Sequence, residues 1–462
     1  MARAAKKDKE VSLETVLWNC RVALRGIGST EKNRDAVISL VFLKFAGDKF
    51  ERRYQELKEQ YGADEGLFNI MKDKVSSYNS VNVFYLNETS RWSYIVAHAG
   101  DNDIAVILDT AMADIERTNP SLKGALSSRD KDGNPVYTFF ATLGATTAKL
   151  KDLIDNVNKI DEKRFQEEDL IGRVYEYFLQ VYAASGTKED GEFYTPACVV
   201  KLIAEMIEPY SGTVYDPCCG SGGMFVSSSD FVNAEGINAN SVMTFYGQEK
   251  VEFNAKLCIM NMAVHGLNAK IKSGDEANSF YHDAHNLEGK CDYVMANPPF
   301  NVDKVKAEST QNAGRLPFGL PGVNQKKEVS NANYLWISYF YAYLNDTGRA
   351  GFVMAASATD SGNKDREIRK QLIQTGHVDC LMSVANNFFY KVSLPCSLWF
   401  FDKGKKEELK DKVLFIDSRN YYTVVDRTLN EWSEWQMKNL NAIVWLYRGE
   451  KEKYTKLLQD YW

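Results

Sequence analysis

One stretch restricts the fold of this chain more than any other: Cys291-Asp-Tyr-Val-Met-Ala-Asn-Pro-Pro-Phe300. Tyr293 to Ala296 reads as a buried strand. The following Pro298-Pro299 pair cannot continue a central ladder, because proline has no N–H to donate. The chain must leave its sheet at Asn297. That places an amide, a carbonyl and an aromatic ring at the carboxyl edge of a strand, where open α/β sheets bind their ligands. The cluster suits methylation of an exocyclic amino group, a poor nucleophile because its lone pair is delocalised into a ring. The Asn297 side-chain oxygen and the Pro298 carbonyl can each accept one N–H, and Phe300 can stack on the base. Two acceptors placed for a tetrahedral nitrogen localise the lone pair, which is transition-state stabilisation by fixed dipoles. Asn-Pro is also common turn chemistry, so the tetrapeptide alone leaves an ordinary strand-end turn open.

The pattern around this stretch is that of an α/β protein. From about residue 212, strand candidates at Thr213–Asp216, Val242–Gln248, Ala269–Ser273, Asp292–Ala296, Gly351–Ala355, Val378–Ser383, Ser397–Asp402 and Val413–Asp417 alternate with helical segments. Those segments include Val251–His265, Asn333–Leu344 and Lys364–Gln374. Alternation of this kind predicts a mostly parallel, doubly wound sheet. The last strands lie close together in sequence, which predicts an antiparallel element at one edge. Residues 1–165 instead carry three- and four-residue apolar spacing, as in Leu13–Trp18 and Ala36–Phe45, and predict a helical domain. Its first clear turn cluster is Asp130–Pro135. Residues 166–430 form the α/β domain. Residues 431–462 return to helix as a tail, which closes that domain or docks a partner. Its Trp432, Trp435, Trp445 and Trp462 would be unusual on a free surface.

Composition narrows the functional classes. With 462 residues, 44% hydrophobic and 26% charged, the chain can fill two or three globular cores. It has no apolar run of membrane-spanning length and no signal-peptide core, and its eight cysteines form no C-x-x-C pair. These features predict a reduced, cytoplasmic protein without membrane attachment. The net charge of −6 argues against unaided DNA binding, since phosphate neutralisation supplies most of such affinity. If DNA is the substrate, another chain supplies much of the grip and the sequence reading.

Further candidate site residues stand at strand ends. Asp216-Pro-Cys-Cys-Gly-Ser-Gly-Gly-Met-Phe225 has glycines at 220, 222 and 223 for a tight strand-to-helix turn. Asp216 can pair with a cationic ligand group. Glu249 can accept from both hydroxyls of a ribose, or serve as a helix N-terminal acid. Asp275 can accept an adenine amino group, or cap the next segment. Three acids at three successive strand ends outline one nucleoside pocket. The join before them contains an expected helix, Ile171–Tyr182, a polar loop, and Glu192-Phe-Tyr-Thr-Pro196, with Pro196 in the first turn of a helix to Ile207. The long segment after Phe300 predicts a loop whose Lys304, Lys306, Arg315, Lys326 and Lys327 can meet phosphates, or a mobile solvated loop. His282 and His285 have two-ligand spacing, but no further Cys or His lies nearby, so no metal is expected. Cys218 and Cys219 read as small packing residues.

Together these residues resemble the modification subunit of type I restriction–modification systems, an adenine-N6 DNA methyltransferase of the amino-methylating class. The resemblance rests on Ala36–Leu57, Tyr175-Glu-Tyr-Phe178, Gly191–Pro196, Asp216–Phe225 and Asn297-Pro298-Pro299-Phe300, in that order, across nearly the whole chain. It implies a Rossmann-like methyltransferase fold with S-adenosyl-L-methionine as donor. It puts Glu192, Phe193, Tyr194, Thr195 and Pro196, with Asp216, Gly220, Ser221, Gly222 and Gly223, around the methionine part and sulfonium. Glu249 would take the ribose and Asp275 the adenine ring. The catalytic tetrapeptide would receive an adenine flipped out of double-stranded DNA. The implied partners are a specificity subunit, joined by two modification subunits, and a restriction subunit that can be added. Methylation of an RNA base or a protein glutamine, and a scaffold that has lost catalysis, are the rival readings.

Overall fold

The computed structural model describes residues 12–132, 134–160, 174, 177, 195–389, 395–427 and 429–462. The expected Ile171–Tyr182 helix and the Glu192–Tyr194 segment lie outside the described residues, apart from Val174 and Tyr177. The chain divides into two compact units, Met1–Gly186 with Ile259–Gly266, and Thr187–Cys258 with Leu267–Trp462.

The first unit is built on α1 (Leu13–Ala23), the long α2 (Thr30–Tyr61), α3 (Ile104–Thr118) and α4 (Thr147–Val157). Three of these helices use a capping hydroxyl, whereas Asp103 ahead of α3 makes no side-chain cap bond. Ser12, Ser29 and Thr146 cap α1, α2 and α4 by accepting a backbone N–H three residues on. The apolar stripe of α2, including Val37, Leu40, Val41 and Phe50, is buried. Buried carboxylates hold the irregular connections: Glu116 accepts the N–H groups of Gly124, Leu126 and Ser127, and Asp109 those of Phe140 and Ala141. The Asp130–Pro135 turn cluster joins a minimal pair of antiparallel two-residue strands.

In the second unit, α5 (Ala197–Ile207) precedes an eight-stranded sheet. Its strands are β1 (Gly212–Asp216), β2 (Met243–Glu249), β3 (Ala269–Ser273), β4 (Cys291–Ala296), β5 (Leu344–Ala355), β6 (Val378–Val384), β7 (Cys396–Asp402) and β8 (Leu414–Asp417). Their spatial order is β8-β6-β7-β5-β4-β1-β2-β3. Strands β3, β2, β1, β4 and β5 pair in parallel, and β6 pairs in parallel with β8. The antiparallel strand is β7, paired to both β5 and β6, so it lies inside the sheet and not at the edge the sequence predicts. The edge beyond it is the parallel β8. Strand β5 also starts earlier than its apolar run: Leu344 pairs with Cys291 of β4, an irregularity follows, and regular pairing with β4 and β7 begins at Arg349.

Helices α6 (Gly223–Ala234), α7 (Glu252–Val264), α8 (Asn333–Tyr343) and α9 (Asn363–Gln374) come after β1, β2, β4 and β5 respectively. Helix α8 is apolar on all sides, which only a fully covered helix tolerates, and it is buried with β4, β5 and Tyr215 in one core cluster. The unit ends with α10 (Glu434–Arg448) and α11 (Lys451–Tyr461). Trp432 is buried with its Nε1–H on the Tyr421 carbonyl, whereas Trp435 and Trp462 are exposed. Arg448, at the end of α10, donates to the Asp379 carboxylate of β6 at 2.8 Å and to the Met206 carbonyl of α5 at 2.6 Å. Both partners of the ion pair are buried. Arg448→Met should therefore cost about 3–5 kcal/mol, by leaving a buried carboxylate without its cation. Urea denaturation would show this as a lower midpoint, and an unchanged midpoint would mean that the pair contributes nothing.

Candidate active site

Parallel neighbours end at one edge of a sheet, so β1 to β4 deliver their following loops to the same place. The order reverses between β1 and β4, with β2 and β3 to one side and β5 to the other. Such a switch point leaves a crevice beyond the strand ends. Asp216 closes β1 and Asn297 follows β4.

The glycine-rich turn folds against the sheet because Gly247 has no side chain. A Cβ there would sit 2.8 Å from Cys219 Sγ and from Ile271 Cδ1. Gly222 then takes φ +84° and serves as the N-cap of α6, a conformation that favours glycine. Cβ atoms at Gly220 and Gly223 would meet nothing within 4 Å, so the turn borders open space. Glu249 ties the second strand end to this turn: its carboxylate accepts the Gly220 N–H at 3.0 Å and the Val251 N–H at 2.9 Å. Glu249 thus anchors the start of α7, as one of its two readings expects, and holds the glycine turn.

Asp216 is buried and accepts the Cys218 N–H at 3.0 Å. Burial pushes its carboxyl up to about 7, against the downward pull of the Cys218 backbone and side chain, and Glu249 adds to the rise. A carboxyl held this way gains from a cation placed beside it. Asp275 opens a short 3-10 turn just after β3, and it is exposed.

Behind these acids stands a residue that the sequence reading passed over. Gln248 is fully buried and accepts from the Tyr215 hydroxyl at 2.5 Å and the Ala284 N–H at 2.9 Å. It donates to Ser279 Oγ and to the carbonyls of Ala277 and His282. It thereby fastens the 275–285 loop to the end of β2. Strand alternation carries the signal: if Glu249 faces the crevice, its neighbour faces away from it. His285 has a structural role, with Nε2 at 2.9 Å from the Gly247 carbonyl. Among the described residues no three His, Cys, Asp or Glu side chains converge for a metal ion.

In the tetrapeptide, Asn297 is half-buried and Pro298 buried. Phe300 packs at the margin of the α8 core cluster. The Asn297 Nδ2 donates to Thr195 Oγ1 at 2.8 Å, joining the Phe-Tyr-Thr-Pro segment to the tetrapeptide across 102 residues. Pro196 is the N-cap of α5, one place before its expected position in the first turn.

The segment after Phe300 is a folded loop. Asn301, at φ +56°, donates its N–H to Asn333 Oδ1 at 2.8 Å, and its own Oδ1 accepts from the amides of Asn331 and Asn333. These three asparagines close the loop at its neck. A helix at Ala307–Ala313 and a short strand pair, Val305–Lys306 with Glu328–Val329, fill it. Lys304, Lys306, Lys326 and Lys327 are exposed. Arg315 is not positioned for phosphates. It is buried against Tyr339, 4.2 Å from that ring, and donates to the Ser279 carbonyl and the Tyr343 hydroxyl. Its cation is claimed by the tyrosine-rich face of α8.

A glycine turn, acids at neighbouring strand ends and an amide at a fourth suit transfer of a small group between a nucleoside donor and an amine. Comparison with known proteins makes the class specific. The N-6 DNA methylase family matches residues 166–459, and the HsdM N-terminal domain matches residues 13–168. The type I restriction enzyme MjaIX methylase subunit of Methanocaldococcus jannaschii is 34% identical over 440 residues, covering 92% of this chain and 76% of that protein. The HindI methylase subunit of Haemophilus influenzae is 33% identical over 337 residues, covering 71% and 72%. The methyltransferase subunit of a type I restriction–modification system from Streptococcus thermophilus has a similar fold, with TM-score 0.72 at 20% identity over 94% of this chain and 93% of that one. The chain belongs to the N-6 DNA methylase family, as a methylase subunit of the type I restriction–modification kind.

A cationic methyl donor would favour ionised Asp216, so below pH 7 its binding must displace a proton. Donor affinity should fall about tenfold between pH 8 and pH 6, and Asp216→Asn should flatten that dependence. Without donor the sign is opposite for stability. A carboxyl raised on folding contributes most below its unfolded value and loses that contribution as pH climbs through 7. Titration calorimetry across this range checks the first statement, and a pH-independent wild-type affinity would contradict it.

Proposed function

We propose that the chain transfers a methyl group from S-adenosyl-L-methionine to N6 of an adenine flipped out of double-stranded DNA, at Asn297-Pro298-Pro299-Phe300. The observation that carries this reading is the placement of Asn297 beside Asp216 and the glycine turn, on adjacent parallel strands. The donor fits the residues present: open space flanks Gly220 and Gly223, and the buried Asp216 carboxyl offers a partner for positive charge. Asp216, Gly220, Ser221, Gly222 and Gly223 would hold its methionine end, together with the Glu192–Pro196 segment. Glu249 would take the ribose, and Asp275 would take the adenine.

S-adenosyl-L-methionine supplies a methyl carbon activated by its sulfonium. The protein's task is to hold the target amine in line with that carbon. The Asn297 Oδ1 and the Pro298 carbonyl accept the two N–H groups of the amine, drawing its nitrogen toward tetrahedral geometry. Phe300 stacks on the extruded base. Flipping costs a few kcal/mol, which contacts within the pocket must offset. The amine proton leaves after the N–C bond forms, so no strong base is needed at the site.

The chain works as the modification subunit of a larger complex. A separate specificity subunit reads the DNA sequence, two copies of this chain join it, and a restriction subunit can be added. The acidic balance supports this division of labour, since a net charge of −6 offers little for unaided DNA binding. Residues 1–165 form the helical domain, 166–430 the methyltransferase, and 431–462 a tail whose exposed Trp435, Tyr461 and Trp462 suit partner docking. No helix among the described residues is long and apolar enough to cross a membrane, and a cytoplasmic setting suits both the substrate and the scattered cysteines.

Asn297→Ala should lower methyl transfer to duplex DNA by about 10²–10³-fold, the usual cost of removing one transition-state hydrogen bond. Tritiated methyl incorporation, measured with the specificity subunit present, provides the readout. Full activity in the variant, or transfer by the wild type to RNA or a protein amide in place of DNA, would overturn the proposal.

A further inference from the structure

We propose that Thr195 is a positioning residue for Asn297, its hydroxyl oxygen accepting from the reacting amide and so fixing which way that amide faces. This rests on the reading of Asn297 given above and deepens it. A carboxamide is nearly symmetric in shape and opposite in polarity at its two ends. Turned by half a rotation about its last bond, Asn297 would aim N–H donors at an amine that itself presents N–H groups. Its acceptor role thus depends on which way the plane faces. With Nδ2 held 2.8 Å from Thr195 Oγ1, the planar amide directs Oδ1 to the opposite side.

The anchor is rigid. Thr195 precedes Pro196, the N-cap of α5, and Val199, Val200, Ile203 and Ile207 of that helix are buried. Ile203 and Ile207 pack closely over Gly351 of β5, where a Cβ would lie 2.8 and 2.9 Å from their methyl groups. Strand β5 neighbours β4, which leads into Asn297. The hydroxyl and the amide it holds therefore hang from one packed layer. A second anchor fixes the backbone. The Asn297 N–H reaches the sulfur of Cys218, whose own N–H is bound to Asp216. Cys218 thus links the carboxylate at the donor side to the amide at the acceptor side, a role beyond small-residue packing.

The test uses the chain assembled with its specificity subunit, measuring single-turnover methyl transfer to duplex DNA and, separately, equilibrium binding of S-adenosyl-L-methionine. Thr195→Val keeps the shape and removes the hydroxyl. It should slow single-turnover transfer at saturating donor about 100-fold, as loss of near-attack geometry does. Thr195→Ser should restore the rate to within about threefold of wild type. An unchanged rate in Thr195→Val would overturn the inference. So would weakened donor binding with a normal rate at saturation, which would leave Thr195 a donor contact and nothing more. If Thr195→Val does not fold, Cys218→Ala tests the second anchor, with a slowed rate expected and a wild-type rate contradicting the proposal. Asn297→Ala runs alongside. If that variant remains fully active, the reading of the site itself fails; if it is inactive while Thr195→Val is normal, only the present inference fails.

Discussion

The parallel pairing of β1 with β4 is the constraint on which the rest depends. Val214 lies opposite Tyr293, and Tyr215 opposite Val294, so both strands run out at one edge. One ends in Asp216 and the glycine turn, the other in Asn297 and two prolines. Had these strands been separated in the sheet, no loop of ordinary length would bring a nucleoside and an amine acceptor together. Everything else in the second unit maintains that adjacency. Helix α8 covers the strands, Gln248 fastens the loop beyond β3 to β2, and Arg448 secures the last helices to β6 and α5.

Energetically, the site concentrates unfavourable terms that the sheet's burial must offset. Asp216 is buried beside Glu249 and the Cys218 thiol. Such a carboxyl is a poor structural element and a good receptor for positive charge. The asparagine neck at 301, 331 and 333 accepts a left-handed Asn301 so that the chain can turn away directly after Phe300. Both features exchange local stability for a preformed geometry.

The fold was legible where local pattern and final environment agree. Strands β1, β2 and β3 stand in the structure within a residue of where the pattern put them, the edge strand β3 included although it is largely exposed. The start of β5 was not legible: Leu344 pairs with β4 ahead of an irregular polar stretch that no apolar pattern marks. Nor was the place of the antiparallel β7, which depends on pairing order and not on its own residues. Site residues at strand ends could be read one at a time, since an acid after a strand is a local signal. The Thr195–Asn297 bond spans 102 residues and carries no local mark. Arg315 misled for the same reason. A basic residue in a glycine- and proline-rich loop looks exposed until Tyr339 and Tyr343, on a later helix, are seen to enclose it.

The central claim concerns geometry, and a structure of the assembled enzyme with duplex DNA and S-adenosylhomocysteine addresses it most directly. The account predicts the target adenine outside the helix, its N6 about 3 Å from both Asn297 Oδ1 and the Pro298 carbonyl, with the thioether sulfur on the far side of N6 from those acceptors. A base left stacked in the duplex at full occupancy, or a thioether seated away from the Asp216 turn, would contradict it.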